Sequence, residues 1–329
     1  MKSKVIILTS FLLLACGNVQ SKKDSIVLQN TEIRKVPQFE ADSAYFHIEK
    51  QLSFGPRVPQ TKAHNNCSEY LLSKLSSFCD AAQIQQGMVE LYNGEVIPCK
   101  NIIGIFSPEK KSRILLCAHW DSRPFSDQES DVKKQKLAVS GADDGASGVA
   151  VLLEMARLFS IQKPNVGVDI VLFDVEDYGK PDFYTGKVYT DHSWCLGSQY
   201  WSKNPHKINY TARYGILLDM VGANGATFRK EQFSNYYAVN IVNKVWNEAK
   251  ELGFSSCFLD EIGGAVTDDH LYVNQLAKIP CIDIIRQEIQ SETGFAAYWH
   301  TQEDDMRNIS KETLYKVGQT LLSVIYSEK

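Results

Sequence analysis

The chain has 329 residues, of which 44% are hydrophobic and 22% are charged, and its formal net charge is −4. This composition is typical of a globular protein and excludes a disordered chain. A small negative charge provides no broad basic surface, so nucleic acid is not an expected partner. The length permits one large α/β domain or two smaller domains.

The first residues have the features of an export signal. The positively charged "MKSK" precedes an apolar run that is too short to span a bilayer. The run ends in "LLAC", which resembles the bacterial lipobox; the alternative is an ordinary signal peptide and a chance cysteine. We expect residues 1–15 to be a signal peptide and residues 16–35 to be a tether. Lipid on Cys16 would then hold an exported lipoprotein at a membrane surface, facing the periplasm or the cell exterior.

The chain has 8 cysteines, so 8 − 1 = 7 remain when Cys16 is set aside. Export implies an oxidising compartment in which a disulfide is possible. Because seven is odd, at least one of these thiols must stay free. The sequence pattern assigns no pair.

Residues 36–329 begin with two helical patterns, "EADSAYFHIEKQL" and "TKAHNNCSEYLLSKLSSF". Two short apolar runs follow, "NIIGIF" and "RILLCAHW", with a charged turn between them. This arrangement predicts two strands that pair with each other. The next pattern, "GADDGASGVAVLLEMARLF", predicts a helix with acidic residues at its N-terminus.

The second half of the chain alternates strands and helices. "VDIVLFDVED" is a nearly continuous apolar run, typical of a strand buried on both faces, and "RYGILLDMVG" and "IPCIDII" resemble it. "NYYAVNIVNKVWNEAKELG" and "SKETLYKVGQTLLSVIYSE" predict helices. The alternation predicts a single α/β domain with a central, mostly parallel, twisted sheet covered by helices on both faces. The active site of such a fold lies outside the carboxyl ends of the strands.

Acids and histidines occur at these strand and helix ends. Each one alone has an ordinary explanation as a helix cap or a solvated loop residue. Together they provide oxygen and nitrogen donors without thiolates, which favours zinc in a reactive site with an open coordination position. Asp121 would support a neighbouring histidine ligand. The candidate residues are His119, Asp144, Glu176, Asp177, Asp219, Asp268 and His300.

The motifs "AHWDS", "GADDGASG", "FDVEDYG", "CLGSQYW", "LLDMVGA", "TDDH" and "WHT" occur in this order along the chain. Their order and spacing resemble the zinc-dependent exopeptidase-like fold that zinc aminopeptidases share with animal-type glutaminyl cyclases. The resemblance extends from "FGPRVP" to "YWHT", which is nearly all of the chain after the tether.

The cyclase resemblance implies one Zn²⁺ ion, held by Asp144, Asp177 and His300. It also implies that Glu176 is the catalytic base and that Asp268 and Asp219 are further catalytic acids. The aminopeptidase resemblance implies two ions and a ligand set of His119, Asp144, Asp177, Asp219 and His300. The sequence departs from both branches at Asp177, where each usually has glutamate.

Two features favour the cyclase, namely Trp299 in "WHT" and Asp268 in "DDH", where the peptidases more often have "SDH". The implied activity converts the N-terminal glutamine of peptides or proteins to pyroglutamate and releases ammonia. Trp299 would line the pocket for the glutamine side chain, and core packing is the alternative role for it. The alternative functions are a dinuclear zinc aminopeptidase and a non-catalytic binding module on the same fold.

Overall fold

Six strands form the central sheet in the part of the chain that the computed structural model describes, residues 35–329. The expected signal peptide and nearly all of the expected tether, including Cys16, lie outside the described residues. Together with a separate pair of strands, the described residues form eight strands: Ala81–Glu90 (β1), Val96–Phe106 (β2), Arg113–His119 (β3), Gly167–Phe173 (β4), Gly215–Asp219 (β5), Phe228–Lys230 (β6), Phe258–Ile262 (β7) and Cys281–Ile285 (β8). The α-helices are Ala41–Leu52 (α1), Lys62–Phe78 (α2), Ala146–Ile161 (α3), Leu196–Lys203 (α4), Gln232–Glu251 (α5), Asp269–Tyr272 (α6) and Lys311–Ser327 (α7).

The strand order in the main sheet is β1-β2-β4-β3-β5-β8, and β6 and β7 form a separate pair. Strands β4, β3, β5 and β8 are parallel, whereas β1 and β2 are antiparallel to their neighbours. This arrangement confirms the predicted mostly parallel sheet. Because parallel strands end at the same edge, His119 and Asp219, the last residues of β3 and β5, come close together.

The predicted pairing of "NIIGIF" with "RILLCAHW" is wrong, because β4 lies between these two strands. Ile103 of β2 is opposite Val171 of β4, and β4 pairs on its other edge with β3. The buried run of β4 thereby gains ladder hydrogen bonds on both edges. The Arg113 guanidinium links the end of β2 to the start of β4. It donates to the carbonyl oxygens of Phe106 and Val168 at 3.1 and 3.2 Å.

The two faces of the sheet are covered by different helices. Along β3, Ile114 and Leu116 belong to the larger apolar cluster, whereas Leu115 and Cys117 belong to a second cluster on the opposite face. Such alternation is the two-residue period of a strand with two buried faces. Helices α1, α2, α3, α5 and α7 supply the first cluster, and α4 contributes Trp201 to the second. The predicted helical cover on both faces is confirmed.

All seven cysteines within residues 35–329 are unpaired, and six of them are buried. Burial raises the pKa of the Cys117 thiol well above its ordinary value, which suits a small core residue. In the same range, no helix combines the length and the apolar character needed to cross a membrane.

Candidate active site and metal centre

A cavity of about 550 Å³ opens at the carboxyl ends of the parallel strands. Its wall includes two acids from the loop after β4 and one acid from the end of β5. The other reactive side chains of the wall come from the loops that precede α3, α6 and α7. The structure brings these predicted residues to the cavity wall: Asp144, Glu176, Asp177, Asp219, Asp268, Trp299 and His300.

Three of the predicted ligands converge in this cavity. Donor atoms of Asp144, Asp177 and His300 lie within 4.8 Å of one another. Nε2 of His300 is 3.1 Å from Oδ1 of Asp177 and 3.7 Å from Oδ2 of Asp144. Both carboxylate oxygens of Asp177 are buried and accept no hydrogen bond from the described residues. Buried acceptors without donors, beside a histidine nitrogen, fit a divalent cation with oxygen and nitrogen ligands.

A second set of donor atoms shares Asp144 with the first. Nε2 of His119 is 3.0 Å from Oδ1 of Asp144 and 3.1 Å from Oδ1 of Asp219. The two oxygens of Asp144 therefore face different histidines. Burial raises the pKa of Asp219 to about 8, and the nearby Asp144 charge acts in the same direction. This second set matches the ligand positions that the aminopeptidase resemblance adds.

Asp121 contacts both a candidate histidine ligand and the backbone of the two acids after β4. The sequence predicted only the contact with the histidine. Its Oδ1 is 3.5 Å from Nδ1 of His119. Its two oxygens also accept from the backbone N–H groups of Glu176 and Asp177, at 3.1 and 3.2 Å. One buried carboxylate thereby fixes the end of β3 relative to the loop after β4.

Asp304 holds the other acidic loop, and the sequence alone did not assign it this role. Its carboxylate accepts from the backbone N–H groups of Asp143 and Asp144 at 2.8 and 3.1 Å. The Asp143 side chain turns away from the cavity and accepts from Gly222 N–H and Tyr298 O–H, each at 2.8 Å. Adjacent acids therefore have separate tasks, because Asp143 ties loops together and Asp144 faces the cavity.

The orientation of His300 depends on residues that sequence reasoning missed. Nδ1 of His300 lies 3.3 Å from Oδ1 of Asp127, and Arg123 donates to both oxygens of Asp127 at 3.1 and 2.5 Å. The Arg123 guanidinium lies 4.5 Å from the ring of Trp194, which is nearly parallel to the His300 ring at 5.9 Å. No local pattern marks Arg123 or Asp127, since both lie in an irregular loop.

Glu176 has the surroundings of a group that exchanges protons. Donor atoms of Glu176, Cys195 and Asp268 lie within 4.8 Å of one another, and the Cys195 thiol donates to Oε1 of Glu176 at 3.1 Å. Burial raises the pKa of Glu176 well above its ordinary value, and the neighbouring Asp268 and Asp177 charges add to this effect. A carboxyl group with a raised pKa can accept and return a proton near neutral pH.

Left-handed backbone occurs next to the site. Val175, Cys195, Met220 and His300 have φ angles of 54°, 58°, 49° and 54°. A β-branched residue such as Val175 rarely adopts this conformation, which costs about 1–3 kcal/mol. Each of these residues belongs to the site or precedes one of its acids. The packing around the site therefore holds the backbone in shapes that the local sequence disfavours.

Trp299 is half-buried, lines the cavity and packs directly on a candidate ligand. Its ring centroid lies 3.6 Å from that of His300, with 20° between the ring planes, and 4.6 Å from that of Phe295. The two expectations for Trp299 are therefore compatible in geometry, because one ring face contacts protein while the side chain contributes to the cavity wall.

Known proteins resemble this chain over most of its length. A zinc-dependent exopeptidase structure from Parabacteroides distasonis is 53% identical, covers 89% of this chain and 100% of its own, and has a TM-score of 0.88. The Tannerella forsythia glutaminyl cyclase structure is 52% identical, with 89% and 100% coverage and a TM-score of 0.87. Cattle glutaminyl-peptide cyclotransferase is 24% identical over 67% of this chain and 64% of its own length.

Three curated relatives are matched over only 33% to 64% of their own lengths. Their additional segments have no counterpart in these alignments. The family model described as peptidase family M28 matches residues 101–325, which is more than half of the chain. The family and its zinc-dependent exopeptidase neighbours imply zinc, in agreement with the nitrogen and oxygen donors in the cavity. The chain therefore belongs to peptidase family M28.

Proposed function

We propose that the protein is a zinc-dependent glutaminyl-peptide cyclotransferase, which converts the N-terminal glutamine of peptides or proteins to pyroglutamate and releases ammonia. The observation that carries this proposal is the group of acids Glu176, Asp219 and Asp268 beside a candidate ligand set, in a cavity with the Trp299 side chain in its wall. The similarity to the Tannerella forsythia glutaminyl cyclase over its whole chain supports the same reaction.

Asp144, Asp177 and His300 would hold one Zn²⁺ ion, because their donor atoms converge in the cavity. When bound, zinc supplies Lewis-acid polarisation of the glutamine side-chain carbonyl group. Asp127 and Arg123 would maintain the orientation of His300 through the contacts described above.

Glu176 would move the proton. The α-amine of the substrate attacks its own side-chain amide carbon, so a carbon–nitrogen bond forms and closes a five-membered lactam. Glu176 takes a proton from the attacking amine and returns it to the departing amide nitrogen, which leaves as ammonia when its bond to carbon breaks. Asp268 faces the same carboxyl group, and Asp219 lies at the same cavity wall. Positioned proton transfer of this kind contributes about 10²–10⁴-fold to rate.

The cavity wall would select the conformation of the substrate. Cyclisation requires the glutamine side chain to curl until its amine and amide carbon are at near-attack distance. Trp299 and Phe295 provide an apolar wall that favours the curled form and displaces water. Water must be displaced because hydrolysis of the same amide would otherwise compete with ring closure.

The second candidate function is a dinuclear zinc aminopeptidase. The specific observation in its favour is the second donor set of His119, Asp144 and Asp219, whose atoms lie within 4.8 Å of one another. A peptidase would release free amino acids, and two zinc ions per chain would accompany activity. A cyclase would release ammonia and function with one ion per chain.

A paired assay separates the two functions. Zinc-loaded protein is given a glutamine-initiated dipeptide with a coupled ammonia readout and, in parallel, an aminoacyl-chromophore substrate, each with and without a chelator. We expect chelator-sensitive ammonia release, little chromophore release and one zinc per chain by elemental analysis. Chromophore release with two zinc ions and no ammonia would establish the aminopeptidase instead.

We also propose that the protein is an exported bacterial lipoprotein, anchored at a membrane surface through lipid on Cys16 and active on peptides or proteins outside the cytoplasm. The lipobox-like "LLAC" supports this proposal. Metabolic labelling with a radioactive fatty acid tests it. We expect the label and the membrane association in the wild type, and the loss of both in Cys16→Ala; an unlabelled wild-type protein would contradict the anchor.

A further inference from the structure

A chain of buried polar side chains leads from the cavity wall into the protein. It begins at Asp268, which precedes α6, and continues through Asp283 in the middle of β8, His270 in α6 and Glu231 at the start of α5. None of the four is more than 3% exposed. The proposed reaction uses only Asp268, so the other three groups need a physical explanation.

Glu231 at the inner end of this chain is fully hydrogen-bonded. Its Oε1 accepts from the backbone N–H groups of Phe233 and Val266 at 2.8 and 3.1 Å. Its Oε2 accepts from Ser234 N–H and O–H at 2.5 and 2.7 Å and from Nε2 of His270 at 3.1 Å. Although burial opposes ionisation, these donors hold the pKa of Glu231 at about 2, so this carboxylate is charged.

Asp283 is the opposite case. Neither of its carboxyl oxygens receives a hydrogen bond from the described residues. The nitrogen facing it, Nδ1 of His270, is 3.7 Å from Oδ2, which is too long for a hydrogen bond. One of its carboxyl oxygens lies within 4.8 Å of one from Asp268. Oδ2 of Asp268 likewise receives no hydrogen bond from the residues that the structure describes.

Two buried carboxyl groups in contact share a proton, because two adjacent negative charges are strongly unfavourable in a dry interior. The surroundings indicate which group carries it. Asp268 has a backbone donor, since Asp269 N–H lies 2.5 Å from its Oδ1, whereas Asp283 has none. The proton therefore resides on Asp283, where it can be donated to Oδ2 of Asp268.

We propose that Asp283 is a positioning residue, whose protonated carboxyl group donates a hydrogen bond to Asp268 and holds that carboxylate against Glu176. This inference rests on the proposed function and adds a residue inside the sheet that supports a member of the proton path. With Asp269 N–H on one oxygen and Asp283 on the other, the Asp268 carboxylate has one fixed orientation.

A matched pair of variants tests this role in the zinc-loaded full chain. Asp283→Asn keeps the shape and a neutral N–H donor, so we expect kcat close to the wild-type value. Asp283→Leu keeps similar volume but has no donor, so we expect kcat for glutaminyl dipeptides to fall about tenfold or more with KM unchanged. Equal loss in both variants at wild-type melting temperature and zinc content would overturn the inference.

Infrared spectroscopy of the resting enzyme provides a readout that does not require turnover. With ¹³C-labelled aspartate, the difference spectrum between wild type and Asp283→Asn should contain the stretching band of one protonated carboxyl group. Absence of this band from an active cyclase would overturn the inference alone. Presence of the band in a protein that releases no ammonia would overturn the proposed function and leave the hydrogen bond established.

Metal analysis tests the remaining explanation for the same residues, namely that they bind a cation. Donor atoms of Asp268, His270 and Asp283 lie within 4.8 Å of one another, as they would around a cation. We expect Asp283→Asn to bind the same amount of zinc as the wild type. Loss of one metal equivalent in this variant would show that Asp283 is a ligand and would overturn the positioning role.

Discussion

Buried ionisable groups have different surroundings at the two ends of the parallel strands. At the amino ends of β3 and β4, Arg113 donates to both oxygens of Asp169 at 2.6 and 2.5 Å, and Tyr210 O–H donates to the same carboxylate at 2.9 Å. The guanidinium also donates to backbone carbonyl groups, including that of Ser107. The two buried charges at this end, Arg113 and Asp169, are therefore each other's partners.

At the carboxyl ends, several buried acids have no such partners. Among residues 35–329, no donor contacts either oxygen of Asp177, Oδ2 of Asp268 or, deeper in β8, either oxygen of Asp283. Burial of polar groups without partners costs free energy, so these acids require a cation, a substrate or a shared proton. In this protein, a buried ion pair with hydrogen-bonded partners stabilises the fold, whereas buried acids without donors lie at or near the reactive end.

The largest expected effect is on chemistry at the carboxyl ends. Glu176→Gln removes proton transfer but retains the side-chain volume, so we expect the cyclisation rate to fall by about 10²–10⁴-fold. Steady-state ammonia release measures this, and elemental analysis should show unchanged zinc. The matched control is Glu312→Gln on the exposed side of α7, which should retain full activity. Wild-type turnover in Glu176→Gln would exclude Glu176 as the proton carrier.

The next effect is on stability at the amino ends. Arg113→Met leaves Asp169 buried without its cation, and we expect the free energy of unfolding to fall by about 3–5 kcal/mol. Urea denaturation measures this loss, and the folded fraction should keep its kcat. The double variant Arg113→Met/Asp169→Leu removes both charges and should recover much of the stability. If the double variant is no more stable than the single one, the uncompensated charge is not the cause.

Removal of zinc should change both activity and stability through the site at the carboxyl ends of the strands. A ligand that binds only the folded state stabilises it by about 2.7 kcal/mol at a free concentration of 100 Kd. We therefore expect a chelator to abolish activity and to lower the melting temperature of the wild type, with recovery when zinc is restored. His300→Ala should melt at the same temperature with and without chelator. A wild-type melting curve that the chelator does not change would contradict a stabilising ion in the cavity.

The smallest effect concerns the cavity wall. Trp299→Ala should lower kcat/KM for glutaminyl peptides by about tenfold, or ~1.4 kcal/mol, because the curled substrate loses its apolar support. Trp299→Phe keeps an aromatic wall and should retain most of the activity. Zinc content must stay constant, since Trp299 also packs on His300. A lower melting temperature with unchanged kcat/KM would instead assign Trp299 to core packing.

Much of the fold was predictable because its signals are local. The apolar runs of β4, β5 and β8 and the helical patterns of α3, α5 and α7 predict the correct element types. The order of the strands was not predictable from these runs. The chain passes from β3 through α3 before it forms β4, and β4 then lies between β2 and β3. Strand β1 was missed because its alternating, largely polar sequence lacks the apolar run of a central strand.

The candidate site followed from the motifs, whereas its supporting residues did not. Asp144, Asp177 and His300 meet in the cavity as predicted, but their roles as ligands stay a prediction. Asp304 and Asp127 act through backbone and side-chain contacts that join distant parts of the chain. No spacing along the sequence encodes such contacts.

Asp169 and Asp283 illustrate the difference between what the local sequence predicts and what depends on tertiary contacts. In the sequence, each is a single acid within an apolar strand, "VDIVLF" and "CIDII". Their burial follows from the local sequence, because the apolar residues around them can only fill a core. Their protonation states depend on the tertiary structure, since Asp169 is paired with Arg113 and Asp283 lies within 4.8 Å of Asp268. A buried carboxyl group takes its charge from the neighbours that the fold brings to it.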